Sequence, residues 1–178
     1  FPIGSNIWTV NPKNRTIQKI IYNQKEKIMI MPSITALSEA QTFSITGKYS
    51  SKKDFELVLD LKNITIEDVI PKIPSFSLNG IANIFSKISR SPKDNQLKIK
   101  AAVSDIVINN QQMGDLEFSS NGNTKINAFN TELSLKKGRK KNIALKGVWQ
   151  GLESPKLDFN IVFKDLALDF LSPLGKKT

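Results

Sequence analysis

Residues 59–71 read LDLKNITIEDVIP, and residues 160–173 read NIVFKDLALDFLSP. Each begins as an apolar, strand-like run, passes a Lys–Asn or Lys–Asp pair, enters a short acidic-apolar turn and stops at a proline. Aligning Lys62 with Lys164 superposes Lys62–Pro71 on Lys164–Pro173. Upstream, Ile45–Tyr49 falls on Leu145–Trp149, with Gly47 on Gly147. The chain therefore reads as one segment, 1–178, with approximate repeat units 27–73 and 125–175. A repeated supersecondary unit predicts an elongated stack whose surface runs on from one unit to the next.

The period within each unit is two. Phe55, Leu57, Leu59 and Leu61 alternate with Glu56, Val58, Asp60 and Lys62. Leu97–Val103, Ile143–Trp149, Phe43–Tyr49 and Leu157–Phe163 alternate in the same way. Such runs are strands buried on one face, and one-faced burial favours antiparallel pairing. The phase slips across Ser104-Asp105 and again between Ala128 and Phe129. A slip of one residue exchanges faces, so each site is a bulge or a break.

Turn chemistry separates the strands at Asn11-Pro12-Lys13-Asn14, Asn109-Asn110, Asn121-Gly122 and Lys137-Gly138-Arg139, with Asn121-Gly122 the strongest signal. Ser91–Asn95 and Gly151–Pro155 read as longer loops. Helix is nearly absent. Thr65 can cap one turn over Ile66-Glu67-Asp68, which Pro71 and Pro74 end. Phe76–Ile88 has mixed periodicity and reads as strand, because Gly80 and the serines weaken a helix.

Composition removes several functions. The chain has no cysteine and no histidine. Disulfide frameworks, thiol nucleophiles, His-based triads and Cys/His zinc sites are therefore excluded. No Asp-x-Asp-x-Asp-Gly loop is present, the carboxylates are scattered, and neither an enzyme nor a cofactor is expected. The net charge of +10 suits anionic partners. However, no row of aromatics is interleaved with the lysines on one face, so no nucleic-acid interface is expected. Lys52-Lys53 falls in the loop Ser50–Asp54 between strands, and the cluster Lys136–Lys141 reads as a hairpin tip; lysine at tips and edges also discourages edge-to-edge aggregation. The chain opens at Phe1-Pro2-Ile3 and ends at Lys176-Lys177-Thr178, as a piece of a longer protein would.

These readings give an all-β fold, a long antiparallel sheet with one apolar face and no helix to cover it. A second sheet, making a β-sandwich, the same sheet folded over, or a ligand must cover that face.

Three stretches carry a resemblance. DLALDFLSPLG (165–175), VSDIVINNQQMGDLEFSSNGN (103–123) and NIWTVNPKNRTIQ (6–18) resemble the recurring strand-and-turn elements of TamB-type proteins in the wider AsmA-like group, the last resembling Bacteroidota-like members. The resemblance implies a curved sheet folded into a taco-like hydrophobic groove. It implies a periplasmic stretch of an inner-membrane-anchored rod that reaches an outer-membrane barrel partner of the TamA or TamL type. It implies phospholipid transport between the two membranes and support of outer-membrane protein assembly.

An acyl chain gains about 0.8 kcal/mol for each methylene taken out of water, so a continuous apolar lane holds lipid tails with nearly uniform energy and needs no placed polar group. The residues expected to line it are Phe55, Leu57, Leu59, Leu61, Ile99, Leu116, Phe118, Leu133, Leu145, Leu157, Phe159, Ile161 and Phe163. Two other functions fit the same pattern: a chaperone-like trough that pairs its strand edges with outer-membrane protein strands, and a ligand-free structural or adhesion sandwich.

Overall fold

The computed structural model describes residues 2–3, 6–11, 19–50, 54–70, 76–91, 95–123, 125, 127–151 and 156–165. Four short strands come first: β1 (Pro2–Ile3), β2 (Asn6–Ile7), β3 (Thr9–Val10) and β4 (Ile21–Asn23). Three long ones follow, β5 (Ile28–Ser38), β6 (Gln41–Ser50) and β7 (Phe55–Thr65), then a single helical turn α1 (Ile66–Val69). Six more complete the chain: β8 (Leu78–Arg90), β9 (Asn95–Ile108), β10 (Gln111–Asn123), β11 (Ala128–Lys137), β12 (Lys140–Gln150) and β13 (Lys156–Phe163).

β5 to β13 form an antiparallel meander in which each strand pairs with the next in sequence. β3 and β4 share the outer edge of β5, and the sheet is open rather than closed into a barrel. β1 and β2 pair separately. The fold is therefore all-β, one large antiparallel sheet, and among the described residues no second sheet faces it to make a sandwich. The accessible surface is 12844 Å², against about 8,700 Å² for a compact monomer of 19.9 kDa.

The expected strands form where the alternation places them. Phe43–Tyr49, Phe55–Leu61, Leu97–Val103, Ile143–Trp149 and Leu157–Phe163 all lie in long strands. The slip after Val103 is a bulge: Val103 pairs with Leu116 and Ile106 with Gly114, with Asp105 at φ 53° between them. The second slip is neither a bulge nor a break, since Ala128 and Phe129 lie in one strand with unbroken pairing on both sides; β11 simply starts at Ala128, behind Asn127 at φ 50°, and its apolar face begins with Phe129. Phe76–Ile88 is strand from Leu78 onward, and its mixed period comes from the register shift around Gly80.

Asn109-Asn110 closes the β9–β10 hairpin with φ 48° and 65°, the left-handed pair that a two-residue primed turn requires. Asn109 is held by Ser77, whose N–H donates to its side chain at 2.9 Å and whose carbonyl accepts from its N–H at 3.0 Å. Asn110 has no such bond among those described. Asn110→Gly is expected to stabilise the chain by about 0.5 kcal/mol, the left-handed cost removed less the flexibility added. Thermal unfolding of the variant against the parent checks this.

The Asn121-Gly122 turn does not form. Both residues lie inside β10, where Gly122 pairs with Leu97 on one side and Phe129 on the other. Glycine is needed there for close approach, because a Cβ would overlap the Ala128 carbonyl and the Phe129 ring. The reversal comes later, with Asn123 Oδ1 accepting from the Lys125 N–H at 2.8 Å. Lys137-Gly138-Arg139 does make the β11–β12 tip, with Gly138 at φ 61°. α1 forms after Thr65, but the threonine side chain makes no cap bond. The prolines expected to end it, the Asn11 turn after its first residue, Lys52-Lys53 and the second repeat beyond Asp165 lie outside the described residues.

Burial gathers near the α1 end of the sheet. Trp8, Ala36, Ile64, Ile66 and Ala82 form one cluster. Ile106, Met113 and Leu135 form another. Asp68 of α1 accepts hydrogen bonds from Asn6 and Gln41, which ties the N-terminal strands over this end.

Candidate functional site

Register decides which residues share a face, because directly paired residues point to the same side. One row crosses nine strands: Ala36 pairs with Phe43, then Leu61, Ile84, Ala101, Phe118, Leu133, Leu145 and Ile161 in turn. Every member is apolar, and at roughly 4.8 Å per strand the row is about 38 Å long. A parallel row runs from Ile64 through Ala82, Val103, Leu116, Leu135 and Ile143 to Phe163.

The remaining expected lining residues join the same face. Leu59, Ile99 and Phe159 lie on the next row, Leu57 and Leu157 on the one after, and Phe55 opposite Tyr49 beyond them. The pairing thus brings all thirteen expected residues to one face. None of them is buried. Leu157, Ile161 and Phe163 are 64%, 48% and 63% exposed, and the other ten are half-buried.

Two features interrupt the face. Ser86, Ser120 and Thr131 enter the third row, and the Ser120 and Thr131 hydroxyls satisfy one another at 3.0 Å. Phe129, 1% exposed, lies over Gly122 and tilts against Trp149 with ring centroids 5.0 Å apart. Of the face's other members, Ile84 and Ala82 were hidden in sequence by the bulge at Gly80. Phe43, Val103, Leu135 and Ile143 were legible from the same alternation that marked their neighbours.

Gly47 and Gly147 hold equivalent places in the two proposed repeats. Gly47 pairs with Leu57 and Gly147 with Phe159, while Tyr49 pairs with Phe55 and Trp149 with Leu157. At Gly147 a Cβ would overlap the Asp158 carbonyl and the Phe159 ring.

The opposite face is polar. A trough of about 920 Å³ crosses β7 to β12 there, lined by Asp60, Lys62, Asn83, Lys100, Glu117 and Glu132 among others. Leu61, Phe118, Leu133 and Leu145 also border it, but alternation makes the strand backbone its floor and sends those side chains to the other side. Ion pairs span the strands: Lys87–Glu56 at 2.7 Å, Lys136–Glu117 at 2.7 Å and Lys146–Glu132 at 2.8 Å.

The hydrogen bond and charge of Lys136 hold Glu117 below the ordinary carboxylate range, and Lys146 does the same for Glu132. Glu132 in turn holds Lys146 above the usual lysine value. For a carboxylate lowered in the folded state, the stabilisation is complete above the unfolded value near 4.5 and fades as pH falls through the folded one. The urea midpoint is therefore expected to fall slightly below pH 4.5, and less so in high salt, since these groups are fully exposed.

Among the described residues no three carboxylates come together as a metal site, and no helix is long and apolar enough to cross a membrane. No protein-family model, curated protein or solved structure matches the chain.

Proposed function

We propose that this chain is a segment of a TamB-like, AsmA-like bridge in the periplasm, and that its apolar face carries phospholipid acyl chains between the inner and outer membranes. One observation carries the reading: thirteen large apolar side chains share one face of a single-layer sheet and none is sealed under protein. The first row, from Phe43 on β6 to Ile161 on β13, offers lipid tails half-buried or exposed apolar side chains on successive strands, so a tail moves along it without leaving a deep minimum, while the second is covered at Ile64, Ala82 and Leu135. Headgroups remain at the sheet's margins in water. The outer-membrane barrel partner of the TamA or TamL type and the support of outer-membrane protein assembly belong to the whole bridge. The chain needs no cofactor and performs no chemical step in this role.

Fatty acids of increasing length test it. Affinity is expected to rise steadily, by about 0.8 kcal/mol per methylene, with no cut-off across common membrane chain lengths. A sharp optimum at one length would mean a bounded pocket, and no binding at any length would remove the lipid reading.

A second reading has one observation of its own. β13 ends the sheet, and its Leu157, Ile161 and Phe163 are exposed. A strand edge with no partner among the described residues can pair with an extended client segment by β-augmentation. Crosslinks from β13 to outer-membrane protein strands, without lipid capture elsewhere on the face, would favour it.

A further inference from the structure

One corner of the sheet carries a feature that the apolar face does not explain. The β11–β12 tip and the end of β13 bring Lys137, Arg139, Lys140, Lys141 and Lys164 together, all exposed. The tip is not loosely attached. Asn142, 6% exposed, accepts from the Lys137 N–H at 3.0 Å and donates to the carbonyls of Lys164 at 3.2 Å and Asp165 at 3.1 Å. The Lys164 N–H returns a bond to the Asn142 carbonyl at 2.7 Å. One buried amide thus laces the basic tip to the two residues that follow β13.

Four carboxylates lie nearby, against five patch cations, and leave a net positive corner: Glu132, which Lys141 also approaches, is ion-paired with Lys146. Asp165 is 3.5 Å from Lys140, Glu117 is taken by Lys136, and Asp115 is paired in register with Lys136. Immediately beside the lysines, Phe163 is 63% exposed, Ile161 48% and Val162 42%. Apolar side chains therefore project from both faces of the final strand at the point where the cations gather. At the other end of the same rim the exposed charges include Glu39 and Glu67 beside Lys62, so among the described residues that end carries no comparable run of cations.

We infer that this corner docks the protein onto the surface of a lipid bilayer containing anionic phospholipid. Lysines reach the headgroup phosphates while their stems and the Phe163 ring enter the interface, the combination by which a modest charge cluster and a little apolar area act together. Nucleic acid fits less well, since Phe163 stands alone and no ring series tracks a strand of bases. The inference shares Ile161 and Phe163 with the apolar lane but is tested apart from it, because it concerns intact bilayers rather than extracted lipid.

The test is co-sedimentation of the whole chain with vesicles of phosphatidylcholine alone, or with one third phosphatidylglycerol. Binding is expected only to the anionic vesicles and is expected to weaken with salt. The exposed double variant K140Q/K141Q is expected to bind about 30-fold more weakly, from two charges removed at the surface. Phe163→Ser is expected to weaken binding further. A charge-matched control, K98Q/K100Q on the polar face, is expected to bind as the parent does. Equal loss in the control, or equal binding to both vesicles, would overturn the inference. Binding to poly(U) RNA at the same salt, as tight as to anionic vesicles and unaffected by Phe163→Ser, would also overturn it and make the patch a general polyanion site. Phe159→Lys separates the two proposals, since it is expected to abolish fatty-acid capture and leave vesicle binding intact.

Discussion

Phe159→Lys is expected to abolish acyl-chain capture while most of the sheet stays folded. Phe159 is half-buried on β13, opposite Gly147 and flanked on the same face by Leu157 and Ile161. An ammonium there keeps its water and excludes hydrocarbon from the neighbouring positions. Losing contact with three or four methylenes costs about 3 kcal/mol, or more than a hundredfold in affinity. Folding suffers less, because β13 ends the sheet and pairs on one described side only. Titration with a fluorescent fatty acid, with circular dichroism as the folding control, reads both effects. Asn160→Lys, one residue along and on the polar face, is expected to bind as the parent does.

Gly147→Val is expected to cost about 3 kcal/mol of stability, the upper range for forcing extra atoms into a filled site. The added Cβ meets the Asp158 carbonyl, which belongs to the β12–β13 ladder and has no other place to go. The strand pair must separate locally, so amides of β13 should lose hydrogen-exchange protection before those of β8 to β10. Gly47→Val provides the contrast. A Cβ at Gly47 meets the Glu56 carbonyl at 3.1 Å and two flexible side-chain ends, Leu57 and Met31, so a few tenths of an ångström suffice. Its melting temperature is expected to fall much less. Two glycines aligned by the repeat thus differ in tolerance because the facing carbonyl, and with it an aromatic ring, crowds one of them.

The strands and their facing were legible because a period of two is imposed directly by the pleat. Phe55–Leu61 or Leu157–Phe163 cannot be read another way without turning four large apolar residues to water. The bulge at Asp105 was legible for the same reason, since a phase slip is the trace an extra residue leaves. Gly122 misled because Asn-Gly marks both a primed turn and a site of close approach, and only the position of Phe129 distinguishes them. The register was hidden as well. That Leu61 and Ile161 belong to one row depends on six intervening strand pairings, each set by turns and bulges whose lengths the alternation does not specify. The corner at Asn142 was hidden altogether, because nothing local in Asn142 shows that its amide spans to Lys164.

Photo-crosslinking from single positions tests the central claim most directly. A crosslinking residue at Leu133 or Ile161 on the apolar face, and at Ser119 or Glu132 on the polar face, is placed in the whole chain and exposed to phospholipid. The account predicts lipid adducts at Leu133 and Ile161 and none at Ser119 or Glu132. Adducts at all four positions alike, or at none while the sheet remains folded, would contradict an apolar lane that carries lipid on one face.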